Sequence, residues 1–172
     1  MKWWKPLKGK VKLKEPLKKH VTFGVGGAAD FFIRPKDRQD LKLLLSLLKR
    51  GKMPFLLIGS GSNILAGDKG VRAAVVSLDA PYFKKITLAG NILEAGCGVS
   101  LGRVIQAAQR SGLSGLEFLS GIPGTIGGAL AMNAGVAQGP GSRRAEIRDI
   151  ARVVKDVTVM DPGGNVRVLR QK

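Results

Sequence analysis

Cysteine, histidine and tyrosine occur once each in the 172 residues, as Cys97, His20 and Tyr82. One thiol leaves no intrachain disulfide and no thiolate cluster for a metal. One imidazole makes a histidine-based metal site equally unexpected. Aromatic residues are only 5% and show no stacking pattern, so RNA-type recognition has little support. Acidic residues are few as well: 12 Asp and Glu stand against 29 Lys and Arg, a net charge of +17. The opening MKWWKPLKGKVKLK has no apolar h-region, so it does not read as a signal peptide. The longest uncharged run, residues 118–142, holds seven glycines and two prolines, which would break a spanning helix. The expectation is a soluble cytoplasmic protein with no metal and no membrane partner.

What is present is glycine, positive charge and an ordinary share of apolar residues. Hydrophobic residues make up 44%, enough for a real core and too many for a disordered chain. Twenty-four glycines are roughly twice the usual share and follow no collagen-like period, so they mark turns and close backbone approaches. Eight lysines and one glutamate fall within residues 1–20. The favoured reading of that segment is a solvated basic arm; a nucleic-acid contact is the second reading. The third is an anionic small-molecule site toward which the charge steers ligands.

The first half reads as β-α-β-loop-β. Residues 29–35, ADFFIRP, form a short strand. Leu41, Leu44, Leu45 and Leu48 share one helical face, with Asp37 as cap and Gly51 as stop. PFLLIG and VRAAVVSL supply two further strands. The second half begins near residue 81. Two short strands flank the turn Ala89-Gly90-Asn91, and a helix runs from the N-cap Ser100 to Gly112. Another helix starts near Thr125. The tail is a hairpin turned by Asp161, Pro162, Gly163 and Gly164. Arg143, Arg144, Arg148 and Arg152 space like one basic helical face, which solvation explains and nucleotide phosphate contact could also use.

Two glycine loops carry the chemistry. PFLLIGSGSNILAGD runs a strand into Gly59, Ser60, Gly61, Ser62 and Asn63. A Rossmann turn would need a third glycine and a following helix, and a Walker loop would need Gly-Lys-Ser/Thr; neither is present. What remains is a nest of backbone N–H groups, with the side chains of Ser60, Ser62 and Asn63 as further donors, able to hold a pyrophosphate. A polar turn between strands explains this loop alone equally well. The second loop, SGIPGTIGGALAMNAG, places four glycines and a proline within residues 121–128. Helix-on-sheet packing accounts for Gly127, Gly128 and Ala129. It leaves the preceding turn of Ile122, Pro123, Gly124 and Thr125 unexplained. Small residues in two loops allow flat contact between backbone and a large planar or phosphorylated ligand.

From His20 onward the chain resembles the UDP-N-acetylenolpyruvoylglucosamine reductases, also called UDP-N-acetylmuramate dehydrogenases. The resemblance is carried by HVTFGVGGAADFFIRP, LLIGSGSNILAGDKG, LEAGCGVSLGRVI and GLEFLSGIPGTIGGALAMNAG, in that order. It implies an α+β, two-subdomain FAD-binding fold of the PCMH or vanillyl-alcohol-oxidase type. Residues 1–20 would be a basic N-terminal segment, 21–80 one FAD-binding subdomain, and 81–172 a second, cut short at its C-terminus. The implied pyrophosphate contacts are Gly59, Ser60, Gly61, Ser62 and Asn63. The implied flavin loop is Gly121, Ile122, Pro123, Gly124, Thr125, Gly127, Gly128 and Ala129, with Thr125 near the ring system and Asn133 in the MNAG ending. Gly26 and Gly27 match an early GG that packs on the cofactor region, and His20 matches a position of structural role.

The resemblance further implies FAD as cofactor, NADPH as co-substrate, and reduction of the enolpyruvyl group of a UDP-sugar in peptidoglycan precursor synthesis. FAD, NADPH and the UDP-sugar are polyanions, which suits the basic surplus. The family's Tyr-Arg-x-Ser motif, serine acid and late glutamate have no counterpart here, so no catalytic residue and no metal ligand is carried over. Gly24 stands where the family often has a basic residue, and Cys97 where it has a small one; Cys97 is expected as a buried small side chain. Two other readings stand beside the reductase: an FAD-binding module without sugar reduction, and a basic nucleic-acid-associated protein with purely structural glycines. Nucleic acid is not the expected partner.

Overall fold

The computed structural model describes residues 2–138 and 146–171. The first half builds a four-stranded sheet. In chain order its elements are β1 (Lys10–Pro16), β2 (Ala28–Arg34), α1 (Arg38–Arg50), β3 (Phe55–Ile58) and β4 (Val71–Ser77). The strand order is β1-β2-β4-β3. β4 pairs in parallel with both β2 and β3, and β1 pairs antiparallel with β2.

Alternation on β2 and β4 decides which face each side chain meets. Ile33, Ala74 and Val76 point to α1 and pack with Leu41, Leu44, Leu45 and Leu48. Phe32 and Val75 point the other way and pack with Leu17, Val21, Ile58 and Ala66. The α1 leucines are the predicted face, and its caps are as the sequence implied. The Asp37 carboxylate accepts the Asp40 N–H, and Gly51 closes the last turn.

The basic opening segment departs from expectation. It is not a solvated arm, because its backbone is the edge strand β1. Asp40, 4% exposed, holds the approach to that strand. Its carboxylate accepts the N–H groups of Lys8, Gly9 and Lys36 at 2.8, 2.8 and 2.9 Å. Trp3, Leu7 and Val11 pack on the α1 cluster. The eight lysines are nonetheless exposed, two of them with the ammonium turned back onto a carboxylate: Lys12 onto Glu15 and Lys14 onto Asp30. A charge count reads the side chains and misses the paired backbone.

The second half adds the hairpin β5 (Ile86–Ala89) and β6 (Ile92–Ala95), then α2 (Leu101–Arg110) and α3 (Ile126–Met132). β7 (Gly135–Gln138) pairs with β8 (Glu146–Asp149), and β9 (Asp156–Met160) with β10 (Val166–Arg170). Leu101, Leu119, Ala129 and Ile150 form its core. Among the described residues the basic helical face is not there. Arg148 lies in β8 and Arg152 in a 3-10 turn, while Arg143 and Arg144 lie outside the described residues. A four-residue arginine spacing is as compatible with a strand and turn as with a helix. Among the described residues, no helix is long and apolar enough to cross a membrane.

One ion cluster ties β1 to the turn after it. Glu15 accepts from Lys12 Nζ at 2.7 Å and meets His20 Nε2 at 2.9 Å. Those two bonds pull its pKa from 4.5 down to about 2. A carboxyl held below its unfolded pKa stabilises the fold fully above that pKa. The contribution fades as pH falls toward the folded value. The urea midpoint of the wild type should therefore drop more between pH 4.5 and 2 than that of Glu15→Gln, with the gap between the two closing across that window. A gap independent of pH would show that Glu15 contributes by packing alone.

Candidate functional site

The two glycine loops, far apart in sequence, meet. Ser62 Oγ donates to the Pro123 carbonyl at 2.9 Å across 61 residues of chain. A Cβ on Gly59 would lie 2.6 Å from Thr125 Oγ1. Gly124 faces Ser62 Oγ, with room for a Cβ at 3.7 Å. The junction is built from β3, which delivers Gly59 and Ser60, and from α2 and α3, which hold the second loop from behind. The Leu101 N–H donates to the Gly124 carbonyl at 3.0 Å. Ser100 bridges Thr125 in antiparallel fashion.

Gly61 is the pivot of the first loop. Its φ of +70° is a left-handed conformation that costs other residues about 1–2 kcal/mol. The His20 carbonyl oxygen sits where a Cβ would go, 2.1 Å away, and the Thr22 N–H donates to the Gly61 carbonyl at 3.1 Å. The loop is thus clamped from below. Its upper donors are left over: the backbone N–H groups of residues 60–63 have no hydrogen-bond partner among the described residues. Asn63 is exposed. The serine hydroxyls are used differently from expectation. Ser62 Oγ bonds Pro123, and Ser60 Oγ donates to Ser62 Oγ at 3.4 Å. They brace the loop, and the backbone remains as the donor set.

The start of α3 is the opposite case. Its Ile126 N–H donates to the Val99 carbonyl and its Gly127 N–H to Cys97, both at 2.8 Å. The Gly128 N–H donates to Thr125 Oγ1 at 3.2 Å. These three donors are spent on the fold and are not offered to an anion. Gly127 is favoured by closeness: a Cβ there would stand 3.0 Å from that of Cys97 and 3.1 Å from its carbonyl oxygen. The carbonyls of Cys97 and Val99 are the parts of this junction that residue-type reasoning missed, since a backbone acceptor leaves no mark on side-chain identity. Burial pushes the Cys97 thiol above its ordinary pKa, so the thiol is neutral and the side chain is half-buried filler.

The remaining predicted residues separate. Gly121 is exposed at φ +82°, on the open side of the second loop. Ile122 packs on the second-half core, and Ala129 is inside it at 5% exposure. Asn133 sits at the far end of α3 in a left-handed conformation, its Nδ2 donating to Asp149 at 3.1 Å. The structure does not bring Asn133 to the junction. Gly26 and Gly27 lie against the turn after the first loop, where Cβ atoms would strike Ala66 and the Asp68 carbonyl.

An open row of backbone donors on a pinned loop, facing a small-residue turn, fits a pyrophosphate attached to a flat ring system. This α+β frame is that of the vanillyl-alcohol-oxidase type of flavoprotein. The cholesterol oxidase of B. sterolicum superposes with a TM-score of 0.66 at 17% identity, over 96% of this chain and 33% of that one. The chain belongs to the FAD-binding domain family, whose match runs over residues 29–170.

Closer relatives share more sequence. The UDP-N-acetylenolpyruvoylglucosamine reductase of Clostridioides difficile (strain 630) is 45% identical over 91% of this chain and 48% of its own length. That of Geobacter metallireducens is 48% identical over 81% of this chain and 46% of its own. The solved UDP-N-acetylenolpyruvylglucosamine reductase of Thermus caldophilus gives a TM-score of 0.70 at 32% identity, covering 96% of this chain and 53% of that one. The chain spans about half the length of the curated relatives it matches.

Proposed function

We propose that these residues form the FAD-binding portion of an NADPH-dependent reductase acting on the enolpyruvyl group of a UDP-N-acetylglucosamine, in cytoplasmic peptidoglycan precursor synthesis. The observation that carries the reading is the Ser62–Pro123 junction. It joins two loops that as isolated motifs mean little, and leaves the donors of residues 60–63 open above it. Identity of 40% or more to reductases over most of the chain supports the choice of reaction.

In this reading the backbone at Gly59, Ser60, Gly61, Ser62 and Asn63 binds the pyrophosphate. The turn of Gly121, Ile122, Pro123, Gly124 and Thr125, with Gly127 and Gly128 behind it, lies against the flavin. Ala129 and Asn133 serve the frame, one as core and one as helix cap. Bound FAD supplies the hydride chemistry; the chain supplies position, fixed donors and exclusion of water from one face. The net charge of +17 steers all three polyanionic ligands toward the protein. A division of the chain near residue 80 into two subdomains belongs to the same proposal.

The test is an absorption spectrum of the purified protein before and after FAD addition and desalting. Retained visible flavin bands are expected. Their absence after addition would overturn the FAD reading. NADPH oxidation dependent on the enolpyruvyl UDP-sugar then separates a reductase from an FAD-binding module without sugar reduction.

A smaller effect is expected at the junction itself. Ser62→Ala removes one exposed hydrogen bond between the loops and should weaken FAD binding by about three- to tenfold, the usual worth of a neutral hydrogen bond. Equal affinity in a fluorescence titration would show that the loops hold together without it.

A further inference from the structure

We propose that His20 and Glu15 are a positioning pair that holds the 59–63 loop in its anion-binding shape, an inference resting on the FAD reading above. His20 is attached to the sheet by its side chain and to the loop by its backbone. The imidazole stacks on Phe32, ring centres 3.9 Å apart and planes 19° from parallel. Nε2 meets Glu15 Oε1 at 2.9 Å. Phe32 is 1% exposed in β2, and Glu15 lies at the end of β1, so both anchors belong to the sheet.

The main chain of the same residue reaches the other way. The His20 carbonyl lies against Gly61, Val21 Cα is 2.6 Å from the position of a Gly61 Cβ, and the Thr22 N–H donates to Gly61. A shift of the imidazole is therefore a shift of the surface on which Gly61 rests.

The loop depends on this support because it has little of its own. The N–H groups of residues 60–63 have no partner among the described residues, and the serine struts reach sideways to the second loop. A donor row set by one clamp moves with that clamp, and placement within about 0.5 Å decides how well donors meet a ligand. The pair is well made for the task. The two side chains are 13% and 10% exposed, so the contact is shielded from water and salt. Lys12 on the same carboxylate keeps Glu15 ionised. Neither side chain is offered as a contact to the cofactor.

The experiment titrates FAD into the wild type and three variants, with melting temperature recorded alongside. His20→Phe keeps a ring over Phe32 but loses the bond to Glu15. His20→Gln keeps a donor. Glu15→Gln keeps an acceptor but loses the charge. Affinity should fall about tenfold in His20→Phe and about threefold in Glu15→Gln, as loss of a charge-assisted or a charge contribution implies. His20→Gln should recover most of the loss. The double variant His20→Phe/Glu15→Gln should be no weaker than His20→Phe alone, because the two act through one contact.

Wild-type protein that takes up no FAD overturns the FAD reading, and the pair's role with it. Wild-type uptake with unchanged affinity in His20→Phe and Glu15→Gln overturns the pair alone. So does an equal loss in His20→Gln and His20→Phe, or additive losses in the double variant. If His20→Phe fails to fold, Glu15→Gln and His20→Gln carry the same comparison.

Discussion

Gly61→Ala should lower FAD affinity by about a hundredfold or more. Two costs combine. A φ of +70° is unfavourable to any residue with a Cβ by about 1–2 kcal/mol, and each 1.4 kcal/mol is a factor of ten in binding. The added methyl would also stand 2.1 Å from the His20 carbonyl oxygen, a backbone atom that cannot rotate aside. The loop must lift off its clamp, and its row of N–H groups moves with it. From the sequence alone, a bulky residue at Gly61, or Val at Gly124, is expected to abolish flavin binding and leave the fold largely intact. The structure relocates the collision: the methyl strikes the support, so urea stability should fall along with affinity. Gly124→Val makes a useful contrast, since a Cβ there meets only Ser62 Oγ at 3.7 Å and the cost is confined to a φ of +157° that disfavours a side chain. Flavin fluorescence quenching measures both variants. Wild-type affinity in Gly61→Ala would mean that residues 59–63 do not hold the cofactor.

Leu44→Ala should cost about 2–5 kcal/mol of folding stability. Leu44 is fully buried between α1 and the sheet, against Ile33 and the inward residues of β4. Its neighbours are strand residues fixed by pairing on both sides, so the cavity cannot easily collapse. A domain of this kind has about 5–15 kcal/mol in total, and the loss is a large share. Urea unfolding followed by tryptophan emission will report it, because Trp3 packs on the same cluster. Excess FAD should separate the two variants. At a hundred times its Kd, a ligand adds about 2.7 kcal/mol to the native state. Leu44→Ala, with its loops intact, should regain most of that amount. Gly61→Ala should regain almost none.

The α1 face was legible in the sequence because leucines at 41, 44, 45 and 48 repeat with the helix, and Asp37 and Gly51 mark its ends. The strands β2, β3 and β4 were legible as apolar runs bounded by Pro, Gly and charge. β1 was not, since an edge strand can be written in lysines when only one face is covered; Asp40, which fixes its approach, lies about thirty residues further on. β7 and β8 were hidden for a related reason: GVAQ and EIRD contain no apolar run like that of β3, and β7 continues the glycine-rich stretch without a break. At the site, glycine content announced both loops. That they touch is a fact of tertiary structure, and so is the satisfaction of the α3 donors by Cys97 and Val99. His20 stood beside the motif as a lone histidine, and only the geometry gives it a carbonyl against Gly61.

The bond from Ser62 to Pro123 also has a meaning in time. During synthesis the sheet that carries the first loop is complete once residue 77 has left the ribosome. Its counterpart arrives nearly fifty residues later, which is several seconds at about 5–20 residues per second. Through that interval the nascent chain holds all four strands of the sheet but only one of the two loops. Cofactor capture is therefore a late event, set by arrival of the Pro123 turn and not by folding of the sheet. A stalled chain ending before that turn should fold its first half and remain colourless.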